Sequence, residues 1–288
     1  IVITADNNPP VVVYTDGTGH VGIPLVTLPV TIKELNLPWY IPIYPSTGSY
    51  VYTGGPIPVG GFRFANYECP NRCENIHDMV AYLHMEETAL SAGSVVCNLV
   101  NTDGVITAGT TPTSVTGPAG NMNAIQFTPG PEISIPHYPE MDFGFGSFSA
   151  DGYIKLTSLG TKQVIVSQMG TSGSNLKGWS FYATSDRLGF ERQNGFGGSY
   201  TWNPAGPAWF TLNTWHHVAF VFDGPANTMT FYVDGVAKTA IGYGTWWVYD
   251  HNNLAPMLIG ENFNGGIDEI SVYNRALTAT EIASIHAN

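Results

Sequence analysis

From about residue 76 to the end, short apolar and aromatic runs are cut repeatedly by clusters of Gly, Pro, Asn, Asp and Ser. This rhythm is the strongest constraint on the chain, because it suits strands joined by tight turns. Val164-Ile165-Val166-Ser167, Trp179-Ser180-Phe181-Tyr182 and Leu188-Gly189-Phe190-Glu191 are such runs. The clearest pair is Trp215 to Phe222 and Met229 to Val233, joined by a loop from Asp223 to Thr228. Alternation puts Trp215, His217, Ala219 and Val221 on one face and Val218, Phe220 and Phe222 on the other. Both faces are apolar, which predicts a place in the middle of a two-sheet antiparallel sandwich. Asp234-Gly235 then predicts a tight turn. One short helix is predicted near the C-terminus. Thr278 followed three residues later by Glu281 has the form of a capping box, and Ala276, Leu277, Ile282 and Ile285 supply its apolar face.

Residues 1–75 differ from the rest. Pro is dense there, at Pro9-Pro10, Pro24, Pro29, Pro38, Pro42, Pro45, Pro56 and Pro58. Pro cannot donate to a ladder, so long paired strands are not expected. The apolar runs between the prolines, such as Val11-Val12-Val13-Tyr14, cannot easily bury themselves alone. The segment is therefore expected to form an extended arm or a small β assembly. Such an arm would lie against its own sandwich, at residues 76–288, or against a neighbouring subunit, for which strand addition is one route.

Hydrophobic residues make up 43% of the chain and charged residues only 11%, against roughly 25% charged in ordinary soluble domains. The surface is thus built from Asn, Thr, Ser, Gly and Tyr, a palette that suits an exported protein. Net charge is −12, and no Lys or Arg occurs between Arg72 and Lys155. Nucleic-acid binders present basic stripes to phosphates, so nucleic acid is not an expected partner. No apolar run is long enough for a transmembrane helix, and membrane insertion is not expected. The chain starts Ile1-Val2-Ile3-Thr4 rather than with Met. The chain is then either a fragment or one from which a leader has been removed; the composition favours removal, which places the mature chain outside the cell, on a cell surface or in a virion. It contains no Asn-x-Ser/Thr acceptor.

Three cysteines are present, Cys69 and Cys73 in Cys-Pro-Asn-Arg-Cys and then Cys97. An odd count leaves one unpaired or paired between chains. A zinc site needs a second Cys/His pair at suitable spacing, and none is evident. One local disulfide among these three is expected.

Several of these stretches resemble a known family. Trp215-His216-His217-Val218-Ala219-Phe220-Val221-Phe222-Asp223, followed by Phe231-Tyr232-Val233-Asp234-Gly235, is similar to the central signature of laminin-G-like jelly rolls of the concanavalin A-like type. Leu258-Ile259-Gly260 and Phe263 to Leu277 resemble the closing strand, and Glu281-Ile282 the final short helix. Val80-Ala81-Tyr82-Leu83 with Glu86-Glu87, and Ala124-Ile125-Gln126-Phe127 with Gly130, resemble the first strands. Tyr153-Ile154-Lys155 stands where the family usually has Trp, which keeps an aromatic. The resemblance covers about residues 76–288. It implies an all-β jelly-roll sandwich with a structural Ca²⁺ between the first and last strands. Asp268, Glu86 or Glu87, and the Gly130 carbonyl would be its ligands, the hard oxygen set this ion prefers.

Glycoside hydrolases of related fold need two carboxylates flanking the scissile bond. The relevant relatives carry Glu, Asp and Glu at alternating strand positions. The nearest stretch here, Glu140-Met141-Asp142-Phe143-Gly144-Phe145, lacks the second Glu. The expectation is therefore a non-catalytic protein. Glycan binding needs aromatic platforms with amide or carboxylate partners on loops. Trp246-Trp247-Val248-Tyr249 with Asn253 has that content, and Trp202 and Trp209 form a second cluster. The alternative use of these aromatics is packing. Two roles follow. One is a structural subunit of an exported assembly (a surface filament, sheath or virion), with the arm joining identical subunits. The other is a stand-alone lectin-like adhesion module.

Overall fold

The computed structural model describes residues 78–287 except 89, 110, 119–122, 161, 171–176, 195–198, 203 and 243–251, together with six strands among the first 74 residues. The chain divides into two compact units, Ile1–Glu74 and Asn75–Asn288. In the first unit the strands are β1 (Val2–Ala5), β2 (Val11–Val12), β3 (Val30–Lys33), β4 (Tyr40–Tyr44), β5 (Ser49–Tyr52) and β6 (Ala65–Glu68). They pair antiparallel in the order β2-β1-β3-β5, with β4-β6 as a separate pair. The described strands are short, as the prolines require. Pro42 lies inside β4 where the register with β6 shifts, the kind of position that tolerates a missing N–H donor.

The second unit is a sandwich of two antiparallel eight-stranded sheets. The first sheet contains β7 (Met79–Leu83), β10 (Thr113–Val115), β11 (Ala124–Phe127), β13 (Phe148–Leu156), β18 (His216–Asp223), β19 (Thr228–Val233), β20 (Val236–Gly242) and β22 (Gly265–Tyr273). Its order is β10-β11-β22-β13-β18-β19-β20, with β7 also paired to β22. The second sheet contains β8 (Val95–Val96), β9 (Gly104–Ile106), β12 (Ile133–Ile135), β14 (Gln163–Met169), β15 (Lys177–Thr184), β16 (Arg187–Asn194), β17 (Ser199–Trp202) and β21 (Met257–Ile259), in the order β17-β16-β15-β14-β21-β12-β9-β8.

The alternation read from the sequence is the alternation of the fold. Val218, Phe220 and Phe222 enter the core between the sheets. Ala219 and Val221 pack on the outer face with Tyr232, Tyr273, Leu277 and Ile282, beneath helix α1 (Ala279–Ala287). The core is rich in aromatics. Phe148 stacks on Phe143 at 4.7 Å, meets Trp179 at 5.2 Å and Phe222 at 5.6 Å, and meets Phe220 edge-on at 5.3 Å. Trp179 comes from the second sheet, so this cluster ties the two sheets together.

The turns are those the residues call for. Asp234 and Gly235, at φ +51° and +72°, join β19 to β20 with Val233 opposite Val236. Left-handed conformations at both positions are the mark of a two-residue hairpin turn matched to strand twist. In β22 the register against β13 slips between Asp151 and Tyr153. Glu269 and Ile270 there face Gly152 alone, a β-bulge. A Cβ on Gly152 would lie 2.5 Å from Ile270 Cδ1, so the bulge needs glycine opposite it.

The capping box forms as predicted. Thr278 N donates to Glu281 Oε2 at 2.8 Å, and Glu281 N donates to Thr278 Oγ1 at 3.2 Å. Arg275 adds two bonds to Glu281 and one from Nε to Asp78 Oδ2 at 2.8 Å. Helix, last strand and the start of the first sandwich strand are thereby joined. On the outer face beneath the helix, Asp151 Oδ2 and His217 Nε2 pair at 3.0 Å, both buried. Ser149 Oγ donates to the Arg275 carbonyl and accepts from Leu277 N.

Two outcomes are expected. Phe148→Ala opens a cavity at the junction of the sheets and costs about 3–5 kcal/mol, measured by urea unfolding. The second concerns acid. Hydrogen bonds from Arg275 hold the Glu281 carboxyl at about 2, below its usual 4.5. A depressed carboxyl stabilises the fold above its unfolded value, and that stabilisation is lost as pH falls through the folded value. Stability should therefore drop between about pH 4.5 and 2. Glu281→Gln should lose about 0.5–1 kcal/mol at pH 7, the size of a surface ion pair, and show a shallower acid limb in thermal melts.

Candidate functional site

One end of the sandwich gathers the 137–147 connection, the 223–228 hairpin loop and the 252–256 segment. Phe143, stacked on Phe148, roots the first of these in the core. The chain then turns at Gly144, whose φ of +55° is left-handed. Gly144 N donates to Asn252 Oδ1 at 2.6 Å, and Gly146 N donates to the Phe143 carbonyl at 2.7 Å. From the other side Gly224 N donates to Ser147 Oγ at 3.0 Å. A Cβ on Gly224 would lie 2.8 Å from the Phe145 carbonyl oxygen, so the two loops meet backbone to backbone.

The result is a tip fixed on both flanks, with Phe145 at its apex. Phe145 is 61% exposed, the one aromatic among the exposed large apolar residues described; Leu254 on the neighbouring segment is 85% exposed. Polar groups lie close by in the chain. His137 Nε2 is 3.2 Å from Asp142 Oδ1, and Glu140 Oε2 accepts from Asn101 Nδ2 at 3.4 Å. An aromatic face on a rigid loop beside hydrogen-bonding side chains is an arrangement for holding a ligand from outside.

The residues expected to bind ligand fare differently. Trp246, Trp247 and Tyr249 lie outside the described residues. Asn253 does sit at this end, but its amide builds the loop. Its Nδ2 donates to the Gln168 carbonyl at 3.3 Å and its Oδ1 accepts from Ala255 N at 2.8 Å. Trp202 and Trp209 are partly buried and pack against the core. Phe145 was missed. Its signal was the run Phe143-Gly144-Phe145-Gly146, where alternating glycines allow the backbone to turn one Phe in and the next out.

The proposed calcium ligands do not meet. Glu86 Oε1 lies 3.2 Å from His84 Nδ1, and its Oε2 accepts from Asn123 Nδ2 at 3.1 Å. His84 Nε2 in turn lies 3.4 Å from Glu269 Oε1, and the Tyr82 hydroxyl donates to Glu269 Oε2. Glu87 Oε1 accepts from Cys97 N at 2.9 Å, and burial pushes its carboxyl above the usual range. Asp268 is buried on β22, where its Oδ1 accepts from Glu269 N. Phe127 pairs with Gly265 and Ile125 with Ile267, so Asp268 faces the start of β11, and Gly130 lies past its other end. Among the described residues no three His, Cys, Asp or Glu side chains form a group that could hold a metal ion. The quartet does not fit one coordination sphere. EDTA is accordingly expected to leave the melting temperature unchanged; a fall of several degrees would reveal a different oxygen set.

Cys69 and Cys73 lie outside the described residues. Cys97 is a free thiol. Burial first, then the Glu87 and Asp103 charges, push it up to about 12, which keeps it in the inert protonated form. Glu140 and Asp142 belong to a 3₁₀ turn at Pro139–Met141 and its cap, not to a strand that would alternate carboxylates along one face.

The two-sheet antiparallel architecture and its closing helix define a jelly-roll sandwich. A family model described as the concanavalin A-like lectin/glucanases superfamily, of laminin-G type, matches residues 129–283. The chain belongs to that superfamily. No curated protein matches it. Among solved structures, the binding domain of Paraclostridial Mosquitocidal Protein 1 is similar with a TM-score of 0.58 at 16% identity, over 73% of this chain and 52% of that one. A botulinum neurotoxin type C structure, whose cell entry depends on two ganglioside molecules, is similar at 0.55 and 13%, over 74% and 51%. Domain 4 of AbnA, a GH43 extracellular arabinanase from Geobacillus stearothermophilus in complex with arabinotriose, is similar at 0.51 and 18%, over 73% and 98%. The alignment thus spans about half of each toxin chain. Identities this low carry the fold alone.

Proposed function

We propose that the sandwich is a non-catalytic binding module of an exported protein, recognising a neutral glycan at the loop end around Phe145. The observation that carries this reading is Phe145 itself, an exposed aromatic on a tip hydrogen-bonded from both sides. A pre-ordered platform loses little entropy when a ligand stacks on it. The solved structures of similar fold support a binding role, since they are toxin binding domains and a sugar-bound domain of an extracellular enzyme.

The test is binding to a panel of neutral oligosaccharides, arabino-oligosaccharides included. Phe145→Ala should weaken binding about 30-fold, as for the loss of a central aromatic anchor. Its stability should change by less than about 0.5 kcal/mol, because the side chain is exposed. A panel with no binder, or a variant that binds as wild type, overturns the reading.

A second reading is supported by the N-terminal unit, which is compact and has its own sheets. It is self-assembly of identical subunits in a surface filament, sheath or virion that displays the sandwich. Removing residues 1–74 should then change the assembly state in light scattering. An unchanged state removes this role and leaves the binding module standing.

A further inference from the structure

We infer that Asp142, positioned by His137, is the specificity-determining hydrogen-bond acceptor of the Phe145 site, and that it selects uncharged sugars carrying adjacent hydroxyls over sialylated or uronic ones. This inference rests on the glycan reading of the site.

Three observations lead to it. First, Asp142 is three residues before Phe145, on the same fixed loop. Its backbone N–H bonds to the Pro139 carbonyl at 3.1 Å and its side chain remains 31% exposed. Second, its two oxygens are not equivalent. Oδ1 lies 3.2 Å from His137 Nε2, whereas Oδ2 makes no hydrogen bond to a described residue. An imidazole on one oxygen fixes the carboxylate plane and leaves the other oxygen for a ligand. A carboxylate only accepts, and sugar hydroxyls donate, so adjacent hydroxyls on a ring stacked against Phe145 are the matching group.

Third, the local charge has one sign. Asp142 and Glu140 lie on this loop, and Asp223 opens the hairpin loop that abuts it. No Lys or Arg occurs between Arg72 and Lys155, in the 223–228 loop or in the 252–256 segment. An acidic sugar would meet like charges on these three segments, none of which contains a Lys or Arg. The overall net charge of −12 adds to the repulsion at long range.

The experiment compares a matched pair of immobilised glycans, one neutral and the same chain capped with sialic acid, against five proteins at low and physiological salt. Wild type should prefer the neutral glycan, and the preference should shrink as salt rises. Asp142→Asn should weaken neutral binding about fivefold and narrow the neutral-to-sialylated ratio by a similar factor, the scale of one charge pair at contact in water. His137→Ala should weaken neutral binding without narrowing the ratio, because the Asp142 charge stays, and His137→Gln, which keeps a donor, should recover much of the neutral binding. A purely structural role for Asp142 would lower both glycans together and leave the ratio fixed; that result overturns the inference. Phe145→Ala separates the two levels. If it loses both glycans while Asp142→Asn keeps the wild-type ratio, the inference fails and the site stands. If it binds both as wild type does, the site itself is refuted.

Discussion

The contact on which the rest of this structure depends is the aromatic cluster around Phe148. Phe148 begins β13, which lies between β18 and β22 in the first sheet. Its ring touches Phe220 and Phe222 of its own sheet and Trp179 of the facing one. Large rings in edge and tilted contact bury much apolar area and resist sliding, since each orientation is set by its neighbours. The same ring stacks on Phe143, so the loop that carries Phe145 is rooted in this aromatic cluster. The fixed position of that tip is thus a consequence of how the sheets are joined.

The outer face of the first sheet presents a different problem. His217, Asp151 and Ser149 are buried there. Burying such groups is expensive unless they are paired. His217 and Asp151 pair with each other, and Ser149 both donates to and accepts from the segment that leads into α1. The helix is then held by the capping box and by Arg275, which links it to Asp78 at the start of the sandwich. Closure of the domain therefore runs from its first described residue to its last element through one guanidinium.

Much of this was legible in the residues. Alternation in His216 to Asp223 identified a strand buried on both faces, and its neighbours confirm it. Thr278 and Glu281 announced the helix start, and Asp234-Gly235 the turn. These are local rules, written within a few residues of one another. The candidate site was less legible. Trp202 and Trp209 have the chemistry of a sugar platform, but sequence does not say which side of a tryptophan meets the core. Glu86, Glu87, Asp268 and Gly130 were grouped by resemblance. The register of β11 against β22 separates Gly130 from Asp268, and each carboxylate already has a partner within its own neighbourhood.

Sequence alone determined that residues 76–288 form an antiparallel sandwich of the laminin-G-like type, closed by one capped helix. Period-two alternation, turn residues and caps act over a few positions, and each leaves a local mark. Which aromatic faces water was settled by packing between distant segments. Phe143 and Phe145 are the same residue type two positions apart. One is stacked in the core and the other is held out by Gly144 and the loops of Asn252 and Gly224. That choice depends on hydrogen bonds to residues 108 and 77 positions away in the chain, and no local pattern can encode it.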